Sequence, residues 1–460
     1  MDAGTTTTAR PGPAVEARAT LALAGPIVLT NLSQMALVLT ESMLLGRLGT
    51  EALAAGVLGS SLFFALLAPG FGLALAAAPL QAQCRGASRL PGGAGRGWVR
   101  DMRKGTRAAL WASALAILAT WPVMWNAAPV LRALGQDPTL ALLAQDYARG
   151  AMFAMPSFCA FVVLRGFLAA MERPAAAMWV SLAAVALNLP VAWALIFPAG
   201  FGVQGAGLAV AIVDAAMLAA LLLVIHRDRV FRRFRLLGRV WLPRLAPLKE
   251  VALVGLPIAG SMLLEIGVFS AAAFAMGWFG AVAAAAHAIA IQTASATFMV
   301  PLGVGQAVTA RVGLATGAGD LPGARRAGWV GIGLGAAFMA TMAVLLIVAA
   351  PGIAGLFLDP TLPRAVEATA LAATLLVVAG LFQLGDGIQV VAAGALRGRK
   401  DTRVPMLLAA LGYWGIGLPS GLALAHLAGW GPVGVWLGLF IGTGIVALLM
   451  LGRWRRMAAA

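Results

Sequence analysis

Three acidic side chains, Glu41, Glu265 and Asp386, stand inside stretches so apolar that each must lie within a lipid bilayer. A carboxylate held away from water costs several kcal/mol unless it is paired, protonated or turned toward an aqueous cavity. Acids at such depth bind ions, protons or organic cations. On a helix Ser261, Glu265 and Phe269 share one face at four-residue spacing, which sets a carboxylate beside an aromatic ring suited to an organic cation. Phe382 and Asp386 repeat the arrangement. Glu41 lies near the end of its apolar stretch, where its side chain can alternatively reach back to water. Asp214 is a fourth intramembrane acid.

The elements that must hold these groups are dictated by composition. Hydrophobic residues make up 61% of the chain and charged ones only 11%, with a mean hydropathy of +0.91, more oil than a soluble core can hide. A spanning helix needs ~20 apolar residues, and about twelve such runs recur from end to end. They cover approximately 20–45, 52–82, 108–125, 140–171, 176–197, 204–226, 250–278, 281–313, 327–350, 364–396, 404–427 and 432–452. The fold class is therefore an all-α integral membrane protein. Residues 1–19 lack the apolar centre of a cleavable leader and read as a cytoplasmic tail. Cys84 and Cys159 are isolated, with no CxxC and no histidine at ligand spacing, so neither a zinc site nor a disulfide framework is implied. Gly331-Ile-Gly333-Leu-Gly335 lies in an apolar run with no strand before it, so it is packing and not a phosphate loop.

The net charge of +16 tracks topology rather than a polyanionic partner. Basic residues crowd 85–107 and 227–249, and Arg10, Arg18, Arg165, Arg173, Arg311, Arg325, Arg326, Arg397, Arg399, Lys400, Arg403, Arg453, Arg455 and Arg456 fall on the same side. The other side keeps Arg47, Arg132, Arg149 and Arg364. Positive charge marks the cytoplasmic face, so both termini are expected there, with 453–460 as a second tail. These arginines are spread over many loops without interleaved aromatics, which argues against nucleic acid. Arg165 and Arg397 read as cytoplasmic helix ends.

The second half repeats the first. Pro257 comes 231 residues after Pro26, and the same offset relates Gly277 to Gly46, Gly280 to Gly49, Leu321-Pro322-Gly323 to Leu90-Pro91-Gly92, and Pro405 to Pro174. Leu396-Arg397-Gly398 comes 232 after Leu164-Arg165-Gly166. Each half, 20–226 and 250–452, then holds six spans in one orientation, with the basic stretch 227–249 as linker. Two such copies, related by an axis along the membrane normal, enclose a cleft suited to alternating access. Glycines, 56 in all, allow close helix approach, and prolines such as Pro26, Pro69, Pro190, Pro257 and Pro301 bend the helices they enter.

Taken together, these residues resemble a known family. The run from Pro26 through Glu41-Ser-Met-Leu-Leu-Gly46-Arg-Leu-Gly49 to Leu53-Ala54-Ala55 resembles the opening of multidrug and toxic compound extrusion (MATE) transporters. Gly255-Leu-Pro257 followed by Glu265, Pro301-Leu-Gly303 through Ala310-Arg311-Val312-Gly313, and Gln383-Leu-Gly-Asp386-Gly-Ile-Gln389 through Leu396-Arg397-Gly398 extend the likeness over about 20–452. Its acids resemble the NorM-type branch. The resemblance places Glu41 where relatives carry Asp in the first helix, and Glu265 and Asp386 where they bind the coupling cation or cationic substrate, including Na+. Phe382 stands where some relatives have Tyr. Asn188-Leu-Pro190 resembles the fifth-helix motif, with Ala192 at a site that is often a second Asn.

The chemistry of these acids leads to an expectation of antiport. A carboxylate can hold a proton, a sodium ion or a cationic drug but not all at once, so competition couples inward ion flow to outward cargo. No GxxxxGK[ST] motif occurs, and no organic cofactor is called for beyond the coupling ion, Na+ or H+. The resemblance implies a monomer in the inner membrane whose partners are cationic amphipathic small molecules and membrane lipids. A flippase for lipid-linked precursors is the alternative, although its pyrophosphate would want a cationic cavity. A membrane enzyme would need clustered catalytic groups, and His226, His287 and His426 lie in separate spans.

Overall fold

A computed structural model of the chain describes residues 12–90, 97–238, 240, 244–357 and 364–459. No strand occurs among them, as expected where no water is at hand to satisfy open backbone groups. Eleven helices are long and apolar enough to cross a bilayer, and a bent pair with a 46° break supplies a twelfth span. We number the spans α1 (Pro13–Leu48), α2 (Thr50–Ala87), α3 (Gly97–Trp125), α4 (Pro138–Ala151 with Ala154–Ala170), α5 (Ala175–Ile196) and α6 (Gly202–Arg227). The second half supplies α7 (Leu245–Trp278), α8 (Ala281–Gly317), α9 (Leu321–Val348), α10 (Ala365–Gly398), α11 (Arg403–His426) and α12 (Gly431–Ala459).

Local chemistry sets where spans begin. Asp137 caps α4, accepting from the backbone amides of Thr139 (2.8 Å) and Leu140 (3.1 Å), with Pro138 in the first turn. Asp320 does the same for α9, accepting from the amide of Gly323 at 2.9 Å. The α1–α2 and α7–α8 turns each use one glycine with positive φ, Gly49 at 146° and Gly280 at 91°, a backbone that a side chain would strain. These two glycines are repeat equivalents. Residues Ala410–Gly417 in the middle of α11 form a π-helix, a wide turn that often marks a functional site.

Two lobes of six spans result, α1–α6 and α7–α12, and the largest apolar clusters run across their seam, Leu23 and Ile27 packing with the second half and Val254 and Ile258 with the first. The contacts of the seam obey the repeat. A Cβ on Gly72 would lie 2.5 Å from the amide nitrogen of Ala259, and one on Gly303 2.5 Å from a methyl of Val28. Ala259 and Gly303 stand 231 residues after Val28 and Gly72 respectively. A Cβ on Gly86 would sit 2.1 Å from the Leu314 carbonyl oxygen, and one on Gly317 2.1 Å from that of Gln83, in the same relation. Residue i of one half meets j of the other, and the copy of j meets the copy of i, as in a twofold dimer. Ion pairs reinforce the seam at the end bearing the chain termini. Arg311 of α8 donates from Nε and Nη2 to the carboxylate of Glu16 on α1, each at 2.9 Å, and from Nη1 to Glu172 at 2.9 Å. Gln83 Nε2 donates to the Gly398 carbonyl at 2.8 Å.

The ends differ from the sequence expectation. The stretch read as an N-terminal tail is helical from Pro13, because Glu16 is drawn into the seam by Arg311; residues 1–11 lie outside the described residues. The stretch 453–460 continues α12 to Ala459, with Trp454 fully buried against Gly328 and Arg453 paired with Asp401 at 2.8 Å. The described part of the basic stretch 227–249 is packed against the first half. Phe231 and Phe234 are buried, and Arg103 donates to the Phe234 carbonyl at 2.5 Å and Arg107 to that of Leu236 at 2.8 Å.

Candidate functional site

The acids fall into two sites, one per lobe. In the second lobe α7 supplies Glu265 and α10 supplies Asp386, within electrostatic reach of each other. Asp386 is buried and Glu265 half-buried. Glu265 lines a small cavity of about 30 Å3 together with Ser261, Gln389, Arg397, Thr402 and Tyr413. Gln389 stands one turn after Asp386 and donates through Nε2 to the Tyr413 hydroxyl, while its Oε1 has no hydrogen-bond partner. Tyr413 projects from the π-helical turn, which is tied to α7 by a 3.0 Å bond from Trp414 Nε1 to the Leu264 carbonyl. Glu265 in the cavity wall, Asp386 within electrostatic reach, a phenol, hydroxyls and an unpartnered amide oxygen, with Arg397 as the cation among them, make a set that suits a hard cation or a proton.

An aromatic roof closes this site on the side away from the termini. Phe269 lies one turn beyond Glu265 on α7, and Phe382 one turn beyond Asp386 on α10. Their rings meet edge to face at 6.0 Å, and Phe382 meets Trp436 of α12 at 6.0 Å in the same manner. The spacing alone offers the Phe382 ring to a cation. At 2% exposure and gripped by two aromatic neighbours it is packing above the acids, not an open face. His287 packs against Trp436 at 5.7 Å, and His426 stacks on Phe279 at 5.3 Å.

In the first lobe Glu41 does not reach back to water. It is 6% exposed, and its Oε2 accepts a 3.3 Å hydrogen bond from the hydroxyl of Tyr147 on α4. Asp214 of α6, also buried, lies within electrostatic reach of both. Asn188 of α5 donates through Nδ2 to the carbonyl of Leu37, one turn before Glu41, at 3.4 Å, and its Oδ1 is unpartnered. Ala192, at the place of a second asparagine in the fifth-helix motif, is fully buried and apolar. Asp214, on the next helix, is the second buried acid of this lobe.

Four groups are missed or discounted when the sequence alone is read: Tyr147, Gln389, Tyr413 and Asp214. The tyrosines carry a signal, since the chain has only two against 19 phenylalanines and each reaches an acid site. Arg165 and Arg397 refine another expectation. Arg397 does sit in the last turn of its helix, but Arg165 is 7% exposed and bonded to Asn31 Oδ1 at 3.1 Å, and both arginines line a cavity in the seam.

A polytopic bundle of two pseudo-symmetric lobes with acids inside each is the architecture of a membrane transporter. The family model MatE matches residues 26–194 and 257–422, one copy per lobe. A probable multidrug resistance protein NorM of Mesorhizobium japonicum is 45% identical over 96% of this chain and 94% of its own, and that of Brucella suis 42% over 95% and 93%. Among solved structures, the eukaryotic MATE transporter AtDTX14 superposes with a TM-score of 0.86 at 20% identity, covering 98% of both chains. The Vibrio cholerae MATE transporter VcmN in the bent form gives 0.83 at 18%, covering 97% of this chain and 98% of that one. The chain belongs to the MATE family of membrane transporters.

Proposed function

We propose that this protein is a secondary antiporter of the plasma (inner) membrane, exporting cationic amphipathic drugs and toxic compounds in exchange for Na+ or H+. The two lobes, 20–226 and 250–452 joined through 227–249, alternate access to the cleft between them. Both termini are cytoplasmic on this reading, because they share a face with the basic loops, and the chain works as a monomer. The relatives named as multidrug resistance proteins support export of drugs.

The observation that carries the reading is the convergence of Glu265, Asp386 and the free oxygen of Gln389 beside Tyr413. Cation and cargo compete for these oxygens, so loading one releases the other. The Arg311–Glu16 and Gly86–Gly317 contacts between lobes lie toward the terminus-bearing end, which suits a state sealed toward the cytoplasm and free to open outward. Inward movement of one cation supplies ~2.3 kcal/mol per 100 mV.

Uptake of ethidium into inverted vesicles tests this, with sodium varied at fixed pH and then pH at fixed sodium. Uptake should respond to one of the two gradients and be lost in Glu265→Gln and Asp386→Asn. A rate indifferent to both gradients in the parent, or undiminished in both variants, refutes it.

A further inference from the structure

The cavity in the seam holds positive charge with no carboxylate in its wall. Its wall includes Arg165 of α4 and Arg397 of α10, with Gln306 and Thr309 of α8, and otherwise small or aliphatic residues. A guanidinium carries five N–H donors and stays charged at any physiological pH. Arg165 spends one donor on the neutral Asn31 and forms no ion pair among the described residues. Arg397 makes no hydrogen bond there, and its nearest counter-charge, Glu265, belongs to the neighbouring cavity that Arg397 also lines. A buried charge left without an ionic partner is costly; Arg165 is one, and the half-buried Arg397 faces the same space.

We propose that this cavity binds a small inorganic anion of the chloride class, held between the repeat-related Arg165 and Arg397. The free volume, about 40 Å3, admits a small ion with a water or two and is far below the ~300–1,000 Å3 of drug sites. It is likewise too small for a phospholipid headgroup. The Gln306 amide and Thr309 hydroxyl add polar groups to the wall, although Thr309 already donates to backbone carbonyls of Gly305 and Gly394, each at 2.9 Å. Because one arginine comes from each lobe, the anion cements the seam in its closed form. Because Arg397 also lines the Glu265 cavity, sodium and pH are held fixed when anion binding is measured.

The test uses the full chain in neutral detergent, unenergised, with sodium and ionic strength fixed while chloride replaces gluconate. The thermal midpoint should rise saturably with chloride, and with bromide, as for any ligand of the folded state. Arg165→Gln and Arg397→Gln should each lose tenfold or more in apparent chloride affinity, and Arg165→Lys should keep part of it. Should the glutamine variants fail to fold, bromide soaked into crystals of the parent decides, with an anomalous peak required between the two guanidinium groups. No chloride dependence in the parent, glutamine variants that titrate like the parent, a bromide map empty at that point, or a midpoint that responds to phosphatidylglycerol micelles but not to chloride would each overturn the proposal.

Discussion

Gly86 and Gly317, equivalent positions of the two halves, interlock at the seam so tightly that a methyl group on either would strike backbone of the other lobe, at 2.1 Å in both cases. Backbone cannot swing aside as a side chain can. Overpacking of this kind costs ~1–3 kcal/mol, or ~5–150-fold in the population of the sealed state at ~1.4 kcal/mol per decade. Gly86→Val and Gly317→Val should therefore slow dye efflux. They should also quicken maleimide labelling of the half-buried Cys84 while leaving the buried Cys159 unreactive. Labelling at the parental rate would show that the seam tolerates the intrusion.

The bidentate pair between Arg311 and Glu16 makes a separate prediction. Glu16 keeps only 5% of its side chain exposed, so Arg311→Gln strands a buried charge, a loss of ~3–5 kcal/mol. The double variant Glu16→Gln/Arg311→Gln should be more stable than Arg311→Gln alone, as read by thermal midpoint in detergent. Equal midpoints would mean that Glu16 finds water once released.

Tyr413→Phe removes the hydroxyl that receives Gln389 and faces the Glu265 cavity. A hydrogen bond to a charged or ion-bearing group is worth ~1.5–3 kcal/mol, so half-maximal drive should need ~10–100-fold more coupling cation, with the maximal rate little changed. A drop in maximal rate at unchanged cation affinity would assign Tyr413 to the moving parts instead.

Glu41 and Asp214 should behave as one unit. Groups in electrostatic contact show interaction energies of ~0.5–3 kcal/mol in double-mutant cycles. Glu41→Gln and Asp214→Asn should each impair efflux, and together do no more harm than the worse of the two. Strict additivity would dissolve the proposed pair.

Much of the fold was legible because a bilayer imposes a length on every span: the twelve apolar runs and the offset between Pro26 and Pro257 are statements about composition and register, and both survive in the helices. The three acids were legible for the same reason, as costly residues in hydrocarbon. What stayed hidden is what only packing decides. Phe382 has the spacing to flank Asp386, but whether its face is open depends on Trp436 more than fifty residues later. Asp214 gained its meaning from Glu41 on another helix. What Arg165 faces stayed hidden because periodicity does not say which face of a helix another lobe will cover, and Glu16 looked like part of a tail because its partner lies 295 residues away.

The twofold logic of the seam reaches beyond contacts. Scaffold glycines recur at matching registers, yet Glu265 answers to Gln34, and Glu41 to Ala272, at the same offset. A self-complementary joint of this kind does not require a continuous polypeptide: co-expressed fragments severed inside 227–249 have the surfaces to find one another, whereas two copies of either fragment would rebuild the joint with the wrong complement of acids. Kinship in architecture and division of labour in chemistry are thus written into separate sets of residues.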